Sequence, residues 1–479
     1  MAVFELSAKV NDNNVFLVKH SELEGRWDID YYRPKINALE KKIRQKTTKK
    51  LKDFIVKIAS GATPSVQEEA KFYSTKENGI PFLRVQNLNV SGELSLDDVK
   101  YINQETHNNY LKISQVSEHD LLVKITGVGR MAIASVAPSG FDGNTNQHMV
   151  VIKTGGEEQS RYLANYLNLD IIEALATRRS TGATRPALDY PALKSIPVIG
   201  GIDFSFLKKA EAQKQQKEQQ AQVLLDSIDG YLLNALGITL PQQDSRLEKR
   251  MFTVPFSEVI GGRLDPVSFS SFGKYLFSSI YSYKPLHQVA QGFGSGFGVG
   301  KDNQAKNSDG IIQIRPTNIN SYGDLIFQKN VYLPKEYTEK YEMTSYGDVL
   351  FNNTNSQDLV GKTAIFLDKD NQYFYSNHIT VIKTNALSLN PDYLKNVLNL
   401  YQEHKYFYSI CTNWNNQSGV GTERLKAVKI PVPPIAKQTE IATHITQIRT
   451  QAKQLQLDAA NLLATTKADI ERMILGESA

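Results

Sequence analysis

Four segments of this chain have spacings that approach a known nucleotide- or base-binding motif. GVGRMA at Gly127–Ala132 comes after the apolar run DLLVKIT and fits G-x-G-x-x-A, the turn that seats a pyrophosphate at a helix start. The stretch beyond Ala132 is short, β-rich and stopped by Pro138, and no acidic residue is properly placed after a second strand, so the glycines read as a strand connection. DLVGKT, ending at Thr363, looks like the end of a phosphate loop, but Ser356 stands where the first glycine is required. VGKD at Val299–Asp302 fails twice, with Ser295 at the glycine position and Asp302 at the hydroxyl position. NPDY at Asn390–Tyr393 approaches the Asn-Pro-Pro-aromatic loop that grips a base for N6-methylation, but Asp392 replaces the second proline. Asn390 as N-cap, Pro391 at the first helical position and Asp392 near the positive helix end account for it as a helix start.

Metal and nucleophile patterns are weaker. The eight histidines are dispersed, with no pair at helix-ligand spacing, and there is no G-x-S-x-G. Cys411 is the single cysteine, which excludes an intrachain disulfide and a thiolate zinc cluster and suggests a reducing, cytoplasmic setting. No catalytic constellation emerges.

The remaining polar residues recur in loops. Arg84, Gln86 and Asn87 close one strand, and Arg315, Thr317 and Asn318 close another. Asn353 and Asn355 lie in an amide-rich run. His148 and His378 are equivalent at strand starts, where they either pack or contact a base or phosphate, and Asn146 and Asn377 lie just before them. Lys124 and Arg130 flank the Gly-rich connection. RRSTGATRP, with Arg178, Arg179, Thr181 and Arg185, corresponds to NWNNQSGVGTERL, with Trp414, Asn416 and Arg424. Arg, Asn and Gln suit both the bidentate reading of base edges and contact with phosphate, so these residues are the candidate DNA contacts. The case rests on their joint recurrence, because any one of them alone reads as a solvated loop.

Such residues need elements that hold them, and those elements are also duplicated. NQHMVVIKT at Asn146–Thr154 returns as SNHITVIKT at Ser376–Thr384, and YLANYLNL from Tyr162 returns as YLKNVLNL from Tyr393. IPFLRVQNLN from Ile80 pairs with IIQIRPTNIN from Ile311, and the Arg-x-Asp of Arg26 returns at Arg263. The three longer matches keep offsets of 230 or 231 and all keep their order, which identifies a tandem duplication. Each copy predicts strands (FLRVQNL, DLLVKIT, MAIASVA and HMVVIK; IIQIRP, DVLFNN, TAIFL and HITVIK), then a short helix, a polar loop and a long closing helix. Apolar residues at Ile441, Ile445, Ile448, Ala452, Leu455, Ala459 and Leu462 step by fours and threes, as do Ala221, Leu224, Ile228 and Tyr231 in the first copy, which Gly230 interrupts. Two such seams in one chain favour mutual coiled-coil pairing over separate packing.

The fold expected is therefore α+β, a tandem pair of mixed, β-rich domains, each followed by a long helix. The boundaries read as an N-terminal segment over 1–45, a first domain over 46–205, a first helix over 206–240 and a linker over 241–275. A second domain over 276–435 and a second helix over 436–476 complete the chain. With 479 residues, 41% hydrophobic and 22% charged, the chain is ordinary for a globular protein. The formal charge of +5 permits an anionic partner without demanding one. There is neither a signal-peptide pattern at the start nor an apolar run of about 18 residues, so no membrane is expected.

This pattern resembles the specificity subunit of type I restriction–modification systems over nearly the whole chain. The residues that carry the resemblance are ASGATPS at Ala59–Ser65, then YSTKENGIPFLRVQNLN, TGATRPAL at Thr181–Leu188 and the IPVIG end. In the second copy they are IRPTNIN, SGVGTERLKAVKIPVPP and AKQTEI. The first helix lacks the Pro-Pro-x-x-x-Gln-x-x-Ile lead-in seen at Pro433–Ile441, and GFGSGFGVG at Gly292–Gly300 replaces Gly-x-Thr-Pro. The resemblance implies two target recognition domains, each reading half of a split, asymmetric double-stranded DNA site. It implies antiparallel helices that fix the gap and dock modification subunits, two in number, with restriction subunits added. S-adenosylmethionine, ATP and Mg would then belong to those partners, with no catalysis, cofactor or metal in this chain. The competing class is a duplicated adaptor that binds protein or carbohydrate, stacking aromatics such as Trp414 on a sugar.

Overall fold

A computed structural model describes residues 11, 15–23, 26–182, 184–240, 251, 253–259, 278–306, 309–415 and 417–477. The expected linker over 241–275 lies almost entirely outside the described residues, as do Asn416 and Arg263. The chain divides into two compact units, Met1–Lys217 with Leu457–Ala479, and Glu218–Gln456.

Unit 1 contains β1 (Lys57–Ser60), β2 (Ile80–Leu83), β3 (Lys100–Ile102), β4 (Gln115–Ser117), β5 (Leu121–Lys124), β6 (Ala134–Val136), β7 (Asp142–Thr145) and β8 (Met149–Lys153). One antiparallel sheet has the order β1-β8-β5-β6, and a second has the order β3-β2-β7-β4 with β2 and β7 parallel. Strand β5 is buried along its whole length because both of its faces are covered. Leu121 and Val123 face a core with Leu163, Tyr166 and Leu167 of the helix Glu157–Leu167, while Leu122 faces Leu83, Val116, Met149 and Val151. Period-two alternation thus divides one apolar run between two cores.

Unit 2 contains β9 (Tyr283–Pro285), β10 (Ala290–Ser295), β11 (Ile311–Ile314), β12 (Tyr332–Leu333), β13 (Val349–Asn352), β14 (Thr354–Asn355), β15 (Thr363–Ile365) and β16 (Phe374–Tyr375). It continues with β17 (Ile379–Thr384), β18 (Thr412–Trp414), β19 (Gln417–Gly419) and β20 (Lys429–Pro431). The sheet β10-β17-β13-β15 repeats β1-β8-β5-β6, and β12-β11-β16 repeats β3-β2-β7, again with a parallel central pair. All eight strands predicted from the two copies are present. Asn390 caps the helix Pro391–Glu403, its Oδ1 accepting from the backbone N–H groups of Asp392 at 2.9 Å and Tyr393 at 3.0 Å. Gly127–Ala132 turns between β5 and β6 with no helix behind it, as a strand connection should.

The long helices run Ser205–Leu236 and Ile435–Leu475, 32 and 41 residues, or about 48 and 60 Å at 1.5 Å per residue. The first passes straight through Gly230, whose missing side chain meets open space, so the expected interruption does not occur. Within unit 2 the two helices are antiparallel: Tyr231 lies 4.2 Å from His444, ring to ring, while Gln222 and Arg449 both reach Tyr322. Within unit 1, Lys217 approaches Asp458 at 4.0 Å, and Leu207 shares a core with Ile470 and Ile474. Of the seam residues, Ala221, Ile228, Ile441, Ile445 and Ile448 are buried, and Leu224, Tyr231, Leu455 and Leu462 are half-buried. Ile228, Ile441 and Ile445 also belong to the core holding Val397 and Leu398, so the seam packs on the domain as well as on the partner helix. Gln438 of the Pro433–Ile441 lead-in is fully buried, accepting from the Asn390 N–H at 2.9 Å and donating to the Ser388 and Pro433 carbonyls. It fastens the start of the second long helix to the capped helix below it.

Candidate nucleic-acid interface

The strand-closing segments fold alike for a local reason. After β2 the chain turns through one 3-10 turn, and the Arg84 N–H donates to Asn87 Oδ1 at 2.8 Å. Asn87 Nδ2 donates to the carbonyls of Ser95 and Asp98 at 2.9 and 3.0 Å. After β11, Arg315 N–H donates to Asn318 Oδ1 at 2.9 Å, and Asn318 Nδ2 donates to Ile326 O at 2.9 Å. Both asparagines are buried with their hydrogen bonds used, so they shape the turn and do not face a ligand. This corrects their expected role. The arginines beside them are half-buried.

In unit 2 a cleft of about 630 Å³ gathers Arg315, Thr317, Asn355 and His378 from three separate segments. Sequence reading missed its other polar walls, Lys329, Asn330, Thr354, Ser356 and Gln417. Carrying the repeat ten residues beyond IRPTNIN would have found Lys329, which stands where the first copy has Asp98. Arg315 is half-buried, which lowers its pKa, and its Nε and Nη2 both donate to Gln313 Oε1 at 3.1 and 3.0 Å. Asn353 lies beside the cleft with its Nδ2 on Asn377 O and Thr380 Oγ1, tying strand ends together. Asn377 is exposed next to Gly298. Trp414, 47% exposed, covers Gly419 on the β18–β19 hairpin, and Arg424 braces that hairpin through Thr412 Oγ1 at 3.1 Å.

Unit 1 brings together His148 and Arg185, with Arg185 Nη2 donating to His148 Nε2 at 2.9 Å. Burial first, and the Arg185 charge second, lower the His148 pKa, so the ring is neutral near pH 7 and its Nε2 accepts. Thr181 is exposed in the same loop, its backbone paired to Ala187 just as Thr412 pairs with Gly419. Arg84 is ion-paired to Asp98 at 3.2 Å, and Gln86 donates to the same carboxylate.

Several predicted contacts serve the fold instead. Arg178 and Arg179 are buried against the Glu40 carboxylate at 2.6 and 2.5 Å, so they offer no charge to DNA. Lys124 is buried, which lowers its pKa, and its Nζ donates to Val128 O at 2.8 Å, closing the Gly-rich connection. Arg130 holds Asp170 and donates to the Asn168 carbonyl at 2.6 Å. Asn146 is buried, its Oδ1 accepting from the His148 N–H at 3.1 Å. The Arg-x-Asp segment acquires a purpose: Arg26 pairs with Asp28 at 2.7 Å and donates to the carbonyls of Arg179 and Ser180 at 3.0 and 3.2 Å, fixing where the polar loop begins.

The unlike glycine motifs of the two copies share one structural meaning. A Cβ on Gly61 would stand 1.6 Å from the Thr145 carbonyl oxygen, and one on Gly296 would stand 2.2 Å from that of Ser376. Both copies cross the end of the strand that pairs in parallel, β7 with β2 and β16 with β11, at a place where only glycine fits.

Residues 297–459 match the family model described as the type I restriction modification DNA specificity domain. A protein of Methanocaldococcus jannaschii, named as a type I restriction enzyme specificity subunit, is 29% identical over 139 residues, covering 29% of this chain and 30% of its own. One of Haemophilus influenzae, named likewise, is 33% identical over 121 residues, covering 24% of this chain and 28% of its own. The alignments thus span about three tenths of the length of these relatives. Among solved structures, a chain described in the assembly of a type I R-M system aligns over 89% of this chain and 95% of its own, at 12% identity and TM-score 0.45. The S subunit of M. genitalium aligns over 90% and 96%, at 10% identity and TM-score 0.39. Residues 297–459 thus match the DNA specificity domain of type I restriction–modification systems, and parts of the chain are similar to the two named specificity subunits.

Proposed function

We infer that the chain is a non-catalytic DNA-reading subunit in which each unit reads one half of a split target. The observation that carries this reading is the pair of units that repeat one four-stranded sheet and the core of a second, and whose corresponding loops present different polar side chains, since duplicated readers that diverge at the contact positions give an asymmetric site. The long helices set the unspecified gap and dock modification subunits, two per complex, in line with the family resemblance. Those partners supply S-adenosylmethionine and methyl transfer, and a restriction subunit adds ATP- and Mg-dependent cleavage. The domain boundaries we propose remain 46–205 and 276–435, with the helices between and after them. No helix among the described residues is long and apolar enough to cross a membrane.

The exposed Trp414 gives the adaptor reading its one specific support, as a platform on which a sugar could stack. Salt separates the two readings. A DNA reader that neutralises several phosphates loses roughly a hundredfold or more in affinity between about 50 and 200 mM salt. A carbohydrate site does not. Titrating the full chain with mixed-sequence duplex across that range is expected to show the steep loss. Salt-independent binding to a glycan, with none to duplex, would replace this reading with the adaptor.

A further inference from the structure

The two units carry the same arginine at the same place and surround it with opposite charge. Arg84 and Arg315 each begin the turn that comes after the central parallel strand, and each turn is closed by the same asparagine hydrogen bonds. The Leu88–Leu94 bridge of one unit repeats as Ile319–Leu325 in the other, so the register holds past the turn. At that register Asp98 of unit 1 corresponds to Lys329 of unit 2. In unit 1 Asp98 receives both Arg84, at 3.2 Å, and the Gln86 amide. In unit 2 Arg315 is held only by the neutral Gln313, Lys329 lines the same cleft, and among the described residues no carboxylate pairs with either.

A guanidinium pinned by a carboxylate is oriented and largely neutralised. Its remaining N–H groups suit the bidentate fork of a guanine edge, and it gains little from a phosphate. A guanidinium pinned by an amide keeps its full charge. With an ammonium beside it, the site favours an anion, and in duplex DNA that anion is the phosphate.

Resting on the DNA-reading function above, we propose that position 98 and its counterpart 329 decide the task of the shared arginine. With Asp98, Arg84 is a base reader in unit 1. With Lys329, Arg315 is a phosphate clamp in unit 2. The two half-sites then differ in kind as well as in sequence: the first is bound with more base discrimination at this position, the second with more salt-dependent affinity.

The test uses the full-length chain, duplex pools randomised in one half-site at a time, and affinity measured against salt. Arg84→Ala should lose the preference at one base pair of the first half-site, by about tenfold, with the salt slope unchanged. Arg315→Ala and Lys329→Gln should each weaken binding to all sequences alike and lower the salt slope by about one, with base preferences kept. Lys329 is exposed, so its substitution leaves folding intact and keeps the second arm readable. Lys329→Asp should go further, conferring a base preference on unit 2 where none existed at that position. The assignment is overturned if Arg315→Ala erases one base preference at constant slope, or if Arg84→Ala lowers the slope. A wild-type chain that binds no duplex at any salt would instead overturn the DNA-reading function itself.

Discussion

Replacing Glu40 with alanine is expected to destabilise unit 1 by about 3–5 kcal/mol, the cost of stranding buried charge when one partner of an ion pair is removed. The Glu40 residue is 7% exposed, and its carboxylate takes Arg178 at 2.6 Å, Arg179 at 2.5 Å and Arg44 at 2.6 Å. Arg178 lies over the Tyr31 ring at 4.2 Å, and Arg179 also donates to Leu175 O and Ser195 Oγ, so neither guanidinium can swing out to water without breaking its neighbours. Burial opposes the charge of Glu40, but the guanidinium groups of Arg179, Arg44 and Arg178 outweigh it and hold its pKa below the ordinary 4.5. A carboxylate whose pKa falls on folding contributes stability above its unfolded value. That contribution is lost as pH drops below about 4.5 toward the depressed folded value. Hydrogen exchange on the full chain at pH 7 should show β5 and β8 losing protection in Glu40→Ala while β13 and β17 keep theirs. Glu40→Gln, which retains the shape and one of the two acceptor oxygens, should lose less. Equal protection in wild type and Glu40→Ala would show that the cluster does not hold this unit.

Gly61→Ala should cost roughly 3 kcal/mol through overpacking against main chain. The obstacle is space rather than conformation, since Gly61 has no positive φ and the added methyl would meet the Thr145 carbonyl at 1.6 Å. A backbone carbonyl at a strand end cannot rotate away as a side chain can, so β7 must shift. That shift carries Asn146 and His148 with it, and so moves the partner of Arg185. DNA affinity through unit 1 should therefore fall along with stability. Gly200 meets nothing within 4 Å and has no positive φ, so Gly200→Ala should leave melting and binding unchanged. If Gly61→Ala melts like Gly200→Ala, the close crossing is not a constraint on the fold.

Much of this architecture was legible in the sequence because it repeats. The strands could be read since β5 and β13 are covered on both faces, which forces continuous apolar runs such as LLVK and VLFN. The helix start at Asn390 was legible because a cap is a local matter of three residues. Tasks assigned by distant partners were not. Arg178 and Arg179 sit in a loop-like RRSTGATR and look available to an anion, but Glu40 claims them from 138 and 139 positions away. Asn87, Asn146, Asn318 and Asn353 have the right chemistry for an adenine edge, and spend it on nearby backbone and hydroxyl groups. Gly230 suggested a break, but helix packing on both sides of it outweighs a propensity cost of about 1 kcal/mol. The glycine crossing was hidden because Gly61 and Gly296 stand in unlike motifs, and only the shared strand end beneath them shows their common duty.

The most direct measurement is methylation-site sequencing of DNA from cells carrying this gene together with its modification subunit, compared with cells in which the gene is deleted. The expected result is a split, asymmetric motif that is methylated in the first and unmethylated in the second. Arg84→Ala should further degrade one half of the motif while the other half stays intact. An unchanged methylation pattern on deletion, with the modification subunit shown to be active, would contradict the DNA-reading function at its root.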